Sequence, residues 1–497
     1  MGSLASIILA AGQGTRMKSA LPKLLHPIYG RPMAAWSVEN ARALGADPVA
    51  LVVGHGADEV RAALGEGLLY VTQAERLGTG HAVLQAREAL AGRADTVLVL
   101  YGDMPTLRPE TLQRMVETHT SRRPAITMLT VHAEDSMGFG RVVRDGAGRV
   151  QAIVEEAAAT PEILALTELN CGVYCFDAAW LWANLPHIRP TPPKNEYYLT
   201  DVAELAVAGG QPVETVTITD VTEVQGINTR VHLARSAEIL RARIAERLML
   251  EGVTLVDPAT TYVDAGVTVG PDTVIHPNTH LLGKTAIGAD CAVGPNAILR
   301  DTVVGERCEI VASVLEGATV DDEVDIGPFA HLRPGAHLGR GVHMGNFGEV
   351  KNAYLAPGTK MGHFSYVGDA ELAGVGVTQG HVASLSRRAA TSAVRWARPA
   401  AVWWMPSVNH SGRASSDHGT ITALRCGAVS RYSASFHASI ALFAHGPSVS
   451  VVRASTHTSG SSPITSSIAV IRSSSVRLAP AATLAASLVP IISTQHP

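Results

Sequence analysis

From Val269 onward, aliphatic residues recur at every sixth position. Val269, Ile275, Leu281, Ile287, Val293 and Leu299 form one run, and after a slip of one residue Val304 and Ile310 continue it. Val320, Ile326, Leu332, Leu338, Met344 and Val350 form a second run, and Leu355, Met361 and Val367 a third. Many are followed by glycine. A helix repeats its apolar face about every 3.6 residues and a strand about every 2, so neither produces this spacing. A left-handed parallel β-helix of hexapeptide repeats does, because each aliphatic stacks inside on the one a coil below.

The repeats occupy only part of the chain. At 497 residues it is too long for one core, and 46% hydrophobic residues can supply several. The net charge of −4 makes no whole-chain case for a nucleic-acid or membrane partner. That average conceals a split. From Ala373 onward there are ten Arg, no Lys, no Glu and one acid, Asp417, which leaves 30 bases and 43 acids before it. The two parts carry −13 and +9.

Before the repeats, strand-like and helix-like stretches alternate. Leu4–Leu9, Pro48–Val53, Leu68–Thr72, Thr96–Leu100 and Ala125–Val131 read as strands, with helices over Ala57–Leu64 and Pro109 to about His119. Such alternation implies an α/β domain, Rossmann-like, with a mostly parallel sheet covered on both faces. Ligands of these sheets sit outside the carboxyl ends of the strands. A helix from Asn228 to about Glu251 follows, with Val231, Ala234, Leu240, Ile244 and Leu248 on one face, and Gly252 stops it.

Three strings lie at strand ends. The first strand runs into Leu9-Ala10-Ala11-Gly12-Gln-Gly14-Thr-Arg16-Met17, then Leu21-Pro-Lys23. Backbone N–H groups approach an anion closely where no Cβ intervenes, and Arg16 and Lys23 supply positive charge. The string is neither a Walker A sequence nor a dinucleotide fingerprint, and an ordinary tight turn competes with the phosphate reading. Gln73, Gly78 and Thr79 open a helix, where an amide and small groups can read a base edge, although Thr79 can also be a plain cap. Tyr101-Gly102-Asp103 follows a strand, and an Asp there can hold a hard cation or merely cap a turn.

Together the strings LAAGxGTRM and LPK resemble the signature of sugar-nucleotide pyrophosphorylases. With the repeats, residues 1 to about 372 resemble the bacterial bifunctional N-acetylglucosamine-1-phosphate uridyltransferase / glucosamine-1-phosphate acetyltransferase family. That resemblance implies uridylyl transfer from UTP to N-acetylglucosamine-1-phosphate with release of pyrophosphate. It makes Arg16 and Lys23 catalytic, and places the nucleotide on Leu9, Ala10, Ala11, Gly12, Lys23, Gln73, Gly78, Thr79, Tyr101 and Gly102. Asp103 and Asn228 become ligands of Mg²⁺ as well as substrate contacts, and Gly140, Glu155 and Asn170 face the acceptor sugar. The chain departs from the family just after Glu155, where Glu156 and three alanines stand in place of a basic residue.

Within the repeats the resemblance assigns Arg333 and Lys351 to the phosphate of glucosamine-1-phosphate and Tyr366 to its sugar. His363 becomes the general base for acetyl transfer from acetyl-CoA. It also implies a homotrimer. The expected division is 1–226 uridyltransferase, 227–251 linking helix, 252–372 shortened β-helix and 373–497 a tail outside the family pattern. For the tail we favour a disrupted reading frame near codon 372 over a disordered basic extension or a nucleic-acid-binding module. Acetyl transfer is then expected to be impaired, because the donor-site region is missing.

No apolar run is long enough for an integral membrane segment and no basic n-region precedes the first strand, so the expected compartment is the cytoplasm. Five scattered cysteines fit a reducing compartment. Competing expectations are a glucose-1-phosphate adenylyl- or thymidylyltransferase and a non-catalytic sugar-nucleotide-binding scaffold.

Overall fold

The computed structural model describes residues 2–191 and 195–372 and the backbone of the strand Val377–Thr378. Otherwise the tail, with the expectations placed on it, lies outside the described residues.

All seven residues of the first strand, Leu4–Ala10, are buried. Successive side chains of a strand point to opposite faces, and here both faces are covered. Leu4, Ile8 and Ala10 enter one apolar core, and Ala5, Ile7 and Leu9 enter the other. The strand lies at the heart of a nine-stranded sheet. In spatial order the main path is Val213–Ile218, Ile126–His132, Glu168–Asp177, Thr96–Tyr101, Leu4–Ala10, Val49–Val53 and Leu69–Thr72. Every pairing on that path is parallel except the two made by Glu168–Asp177. The hairpin Arg141–Arg144 and Val150–Val154 joins from that strand.

Glu168–Asp177 is interrupted by a bulge between Asn170 and Tyr174. Gly172 stands inside it at φ 77°, and a Cβ there would come within 2.7 Å of the Tyr101 ring. Glycine is thus needed both for the left-handed backbone and for the ring's approach. The bulge turns Asn170 toward the strand ends, where the site lies.

The linking helix spans Arg230–Leu250, with Thr229 as N-cap accepting from the His232 N–H. Leu240 packs in the core of the sheet, whereas Ile244, Ala245 and Leu248 pack in the core of the repeats. One correction concerns Val231. It was expected on the buried face but is 59% exposed; Ala234, expected there too, is likewise exposed, and Leu233 and Ala237 pack against the sheet core instead. Leu233, Ala237, Leu240, Ile244 and Leu248 follow one another by three or four residues and so share one helical face, which Val231 and Ala234 lie off.

The repeats form a three-sided parallel β-helix of the hexapeptide kind, with sheets of eight, seven and seven strands. Pairing is in register from coil to coil: Leu281 beside Leu299, Val304 beside Val320, Met344 beside Met361. The interior column also includes Leu255, Val263 and Leu315. Leu315 sits five residues from both Ile310 and Val320, so two short steps in succession hid it from a period of six. The ladder runs past residue 372, since Val377–Thr378 pairs with Lys360–Met361. A threonine at the position paired with Met361 is silent in an aliphatic count.

At one corner Phe329, Phe347 and Phe364 stack coil over coil, with ring centroids 5.4 and 5.0 Å apart. All three have left-handed backbones, at φ 62°, 56° and 52°. Among the described residues no helix is long and apolar enough to cross a membrane.

Leu332 is fully buried in the solenoid column. Truncating it to Ala leaves a void that a rigid stack of coils closes poorly, so L332A is expected to lose about 3 kcal/mol. The exposed Val303 of the same prism, changed to Ala, is expected to shift stability by no more than about 0.5 kcal/mol. Urea titration of both variants, followed by far-UV circular dichroism, checks the contrast.

Candidate functional site

The loop after the first strand turns sharply at Gly14, whose φ is 65°. A Cβ there would meet Cβ of Lys23 at 2.5 Å. Lys23 therefore crosses directly beneath the loop. Its ammonium ion-pairs with the Asp103 carboxylate and donates to Asn228 Oδ1 at 3.0 Å. The group is largely sheltered, the Lys23 and Asp103 side chains being 9% and 19% exposed. Gly12 faces open space, with nothing within 4 Å of a Cβ built on it. No packing neighbour stands in the way of a ligand approaching that backbone. The Leu9 carbonyl accepts from Gly102 N–H at 3.0 Å, which holds the Tyr101-Gly102-Asp103 turn against the loop. Ala10 and Ala11 are buried beside it. Among the described residues Arg16 has no carboxylate partner.

Gln73 is buried, and its amide nitrogen donates to the Gly78 carbonyl at 3.1 Å and faces His81 Nδ1 at 3.0 Å. The side chain expected to read a base thus also braces its own loop. Gly78 stands at φ 111°, and a Cβ there would fall 2.5 Å from the Tyr197 carbonyl. Thr79 Oγ1 accepts from Leu199 N–H at 3.0 Å. The segment 73–79 is therefore fixed against Tyr197 and Leu199 and is no free surface turn.

Beside these loops lies a cavity of about 540 Å³. Thr79, Tyr101, Asp103, Gly140, Glu155, Asn170 and Asn228 line it. Leu9, Ala10, Ala11, Gly12, Arg16, Lys23, Gln73, Gly78 and Gly102 do not, and Lys23 joins their group to the cavity through Asp103 and Asn228. Asn170 donates to the Tyr174 hydroxyl at 2.7 Å and accepts from Gly172 N–H at 3.3 Å, so the bulge fixes its amide. Thr200 donates to Glu155 at 3.0 Å. Buried Arg141 donates to the Phe139 carbonyl at 2.6 Å and to the Leu166 carbonyl at 3.1 Å, which holds the turn carrying Gly140. Arg141 also pairs with Glu156 at 3.4 Å, so the residue that departs from the family pattern has a local partner. Burial, then the charges of Glu155 and Asp103, pushes the Tyr101 hydroxyl well above its ordinary range, so it stays a neutral donor.

His232 and Arg235 of the linking helix also line the cavity and were not expected there. Their three-residue spacing places them on one side of the helix. That was the available signal, but nothing in the sequence said which side faced the cavity.

The two oxygen donors, Asp103 and Asn228, already converge on one cation, the Lys23 ammonium. A carboxylate and an amide oxygen, with room for water and phosphate oxygens, are a donor set that a hard divalent cation takes. The residues present therefore fit a metal. No described cluster of three or more His, Cys, Asp or Glu competes for one.

The remaining expected residues lie on the β-helix. Arg333 follows the strand His331–Leu332, and Lys351 and Tyr366 lie in the next two strands of the same sheet. Lys351 pairs in register with Gly368, and Glu349 with Tyr366. The Tyr366 phenol folds over Gly368, where any Cβ would strike it. Arg333 is ion-paired with Glu349 at 3.0 Å. His363 is exposed, and its ring meets Phe364 edge-on at 5.7 Å.

Two family models match the chain: the MobA-like NTP transferase domain over residues 6–172 and the bacterial transferase hexapeptide (six repeats) over residues 266–301. Whole-protein relatives share the bifunctional protein GlmU name. The protein from Pelobacter propionicus is 48% identical over 375 residues, covering 75% of this chain and 82% of that protein. The one from Halalkalibacterium halodurans is 43% identical over 372 residues, with 75% and 82% covered. The Enterococcus faecalis protein is 44% identical over 367 residues, with 74% and 80% covered.

Asp201 stands beside the cavity, hydrogen-bonded from Thr191 at 3.1 Å. Burial, with smaller contributions from Glu204 and Glu155, pushes its carboxyl up to about 6. Its folded value lies above the unfolded one, so between 3.8 and about 6 the folded chain keeps a proton that the unfolded chain has lost. Stability then falls as pH rises through that window. Removing the charge as D201N is expected to stabilise the fold by about 1 kcal/mol at neutral pH, allowing for partial exposure, and not at all below the window. Thermal melts of both proteins across pH 3.5 to 7.5 measure it.

Proposed function

The chain belongs to the family of the bifunctional GlmU proteins, and on that premise we propose how its residues divide the work. It serves the synthesis of UDP-N-acetylglucosamine by uridylyl transfer and acetyl transfer. A nucleotide and sugar phosphates are its substrates, and its reactions use a metal ion and acetyl-CoA. In finer detail, residues 1–226 carry uridylyl transfer, 227–251 link the halves and 252–372 carry the acetyltransferase acceptor site. The metal is Mg²⁺, the assembly a homotrimer through the β-helix, and the compartment the cytoplasm. A glucose-1-phosphate adenylyl- or thymidylyltransferase and a non-catalytic scaffold are not favoured beside relatives of this kind.

The observation that carries the uridylyl reading is the Lys23 ammonium shared between Asp103 and Asn228 at the edge of the cavity. The acceptor N-acetylglucosamine-1-phosphate lies in the cavity against Gly140, Glu155 and Asn170. The uracil is met by Gln73, Gly78 and Thr79, and the phosphates by the loop from Leu9 to Gly12. A phosphate oxygen of the acceptor attacks the α-phosphorus of UTP in line. A new P–O bond forms, the bond to the β-phosphate breaks, and pyrophosphate leaves with the electron pair. No covalent intermediate on the protein is needed. Asp103 and Asn228 would hold Mg²⁺, which supplies charge neutralisation for the phosphates when bound. Arg16 and Lys23 add positive charge, and the fixed loops align the reactants.

On the β-helix, Arg333 and Lys351 bind the phosphate of glucosamine-1-phosphate and Tyr366 orients its sugar. His363 takes the proton from the amine as it attacks the acetyl carbonyl; a C–N bond forms, the thioester C–S bond breaks, and CoA leaves with the electron pair as its thiolate. This second activity is weak in the present chain, whose sequence after Leu372 lacks the family's donor-site strings.

D103A and K23A are each expected to lower pyrophosphate release from UTP, Mg²⁺ and N-acetylglucosamine-1-phosphate by about 10³-fold or more, with unchanged circular dichroism. Normal turnover in folded D103A would refute the metal role, and a preference for ATP or dTTP over UTP would refute the substrate. In a parallel reaction with glucosamine-1-phosphate and acetyl-CoA, release of CoA thiol is expected to be far slower than pyrophosphate release. Brisk thiol release would mean that the donor site is intact.

A further inference from the structure

We propose that Arg76 is a further phosphate-binding residue of the uridylyl site, holding the part of the nucleotide that departs as pyrophosphate. The proposal rests on the uridylyl reading above.

The residue was only a letter inside the string Gln73-Ala-Glu75-Arg76-Leu77. In the fold its guanidinium reaches across to the glycine loop and donates to Gln13 Oε1 at 2.8 Å. Gln13 stands between Gly12 and Gly14, so the cation is tethered at the loop's tip. The backbone that carries it is held in place. Tyr197 N–H donates to the Leu77 carbonyl at 2.7 Å, Gly80 N–H donates to the Tyr197 carbonyl at 2.8 Å, and Gln73 is buried beneath. Among the described residues Arg76 has no carboxylate partner. A guanidinium offers five N–H donors, and a neutral amide oxygen neither neutralises it nor occupies the rest. Arg76 and Gln13 are both exposed, as an open binding position requires.

Lys23 and Arg76 have different reach. Lys23 runs inward under Gly14 to Asp103 and Asn228, beside the cavity that takes the acceptor. The α-phosphorus must come to that inner side to meet its nucleophile. The β- and γ-phosphates then extend along the loop toward Gln13, where Arg76 is waiting. A planar fork of donors suits phosphate oxygens bidentately. As the bond from the α-phosphorus to the bridging oxygen breaks, negative charge grows on the pyrophosphate, and a guanidinium at that end stabilises it. The bland alternative is a surface arginine bonded to a neighbouring glutamine with no ligand.

Steady-state kinetics of the full chain in both directions separates the two. For R76A, kcat/KM for UTP is expected to fall, and KM for pyrophosphate in the reverse reaction to rise, each by roughly five- to twenty-fold. KM values for N-acetylglucosamine-1-phosphate and UDP-N-acetylglucosamine, neither of which carries the departing phosphates, are expected to stay within about two-fold. R76K, which keeps the charge but not the fork, is expected to recover part of the loss. An active wild-type chain with R76A unchanged overturns this inference alone. A shift of all four substrates together also overturns it, since that marks a disturbed loop. A wild-type chain that releases no pyrophosphate overturns the uridylyl reading and this inference with it.

Discussion

One ammonium group holds the nucleotide-binding half together at its working end. Lys23 grips Asp103, 80 positions away, and Asn228, 205 positions away. Three segments meet there: the glycine loop, the end of the strand Thr96–Tyr101 and the approach to the linking helix. Backbone bonds already tie them, from Gly102 N–H to the Leu9 carbonyl at 3.0 Å and from Ile227 N–H to the Asp103 carbonyl at 2.9 Å. The sheltered cation adds the side-chain order, so that the oxygen atoms of Asp103 and Asn228 are pre-aimed at a point of positive charge. A site for a divalent ion and a polyphosphate needs that prior arrangement, because little covalent chemistry is left for the protein to do.

The repeats were the most legible part of the sequence, and for a physical reason. Each face of a three-sided solenoid takes one large aliphatic per coil, with a smaller buried residue two positions before it in coils such as Ala297 and Leu299 or Ala336 and Leu338, so the large aliphatics mark its period without reference to distant parts of the chain. Leu315 escaped only because the turns on both sides of it are one residue short. The sheet was legible as a set of strands but not as a set of directions. Glu168–Asp177 is buried almost throughout, so its residues look the same whether it runs parallel or antiparallel to its neighbours. The bulge at Gly172 that aims Asn170 was equally hidden, since its need for glycine comes from the ring of Tyr101, 71 positions earlier in the chain.

Site residues were readable where a local string imposes a backbone shape and less so where a side chain has two uses. Gly14 and Gly78 have left-handed backbones and near neighbours that exclude a Cβ. Gln73 looked like a reader of bases, yet its amide nitrogen is already engaged with Gly78 and His81. The amide can support base recognition by stiffening the loop as well as by touching a ligand. On the β-helix, Arg333, Lys351 and Tyr366 fall on successive rungs of one face because the coil length returns them there. A one-dimensional spacing becomes a patch without any long-range contact.

The linking helix has a place in two apolar cores, through Leu240 on one side and Ile244, Ala245 and Leu248 on the other. Nearby, the Tyr29 carbonyl accepts from Ala265 N–H at 3.1 Å, and Gly30 leaves just enough room for the Asp264 carboxylate. The halves are consequently poor cassettes for exchange between genes. A recombination that swapped the β-helix would have to carry along the helix, its capping threonine and the matching hairpin at Tyr29–Gly30. Without them the first half would acquire an apolar trench where its last wall had been.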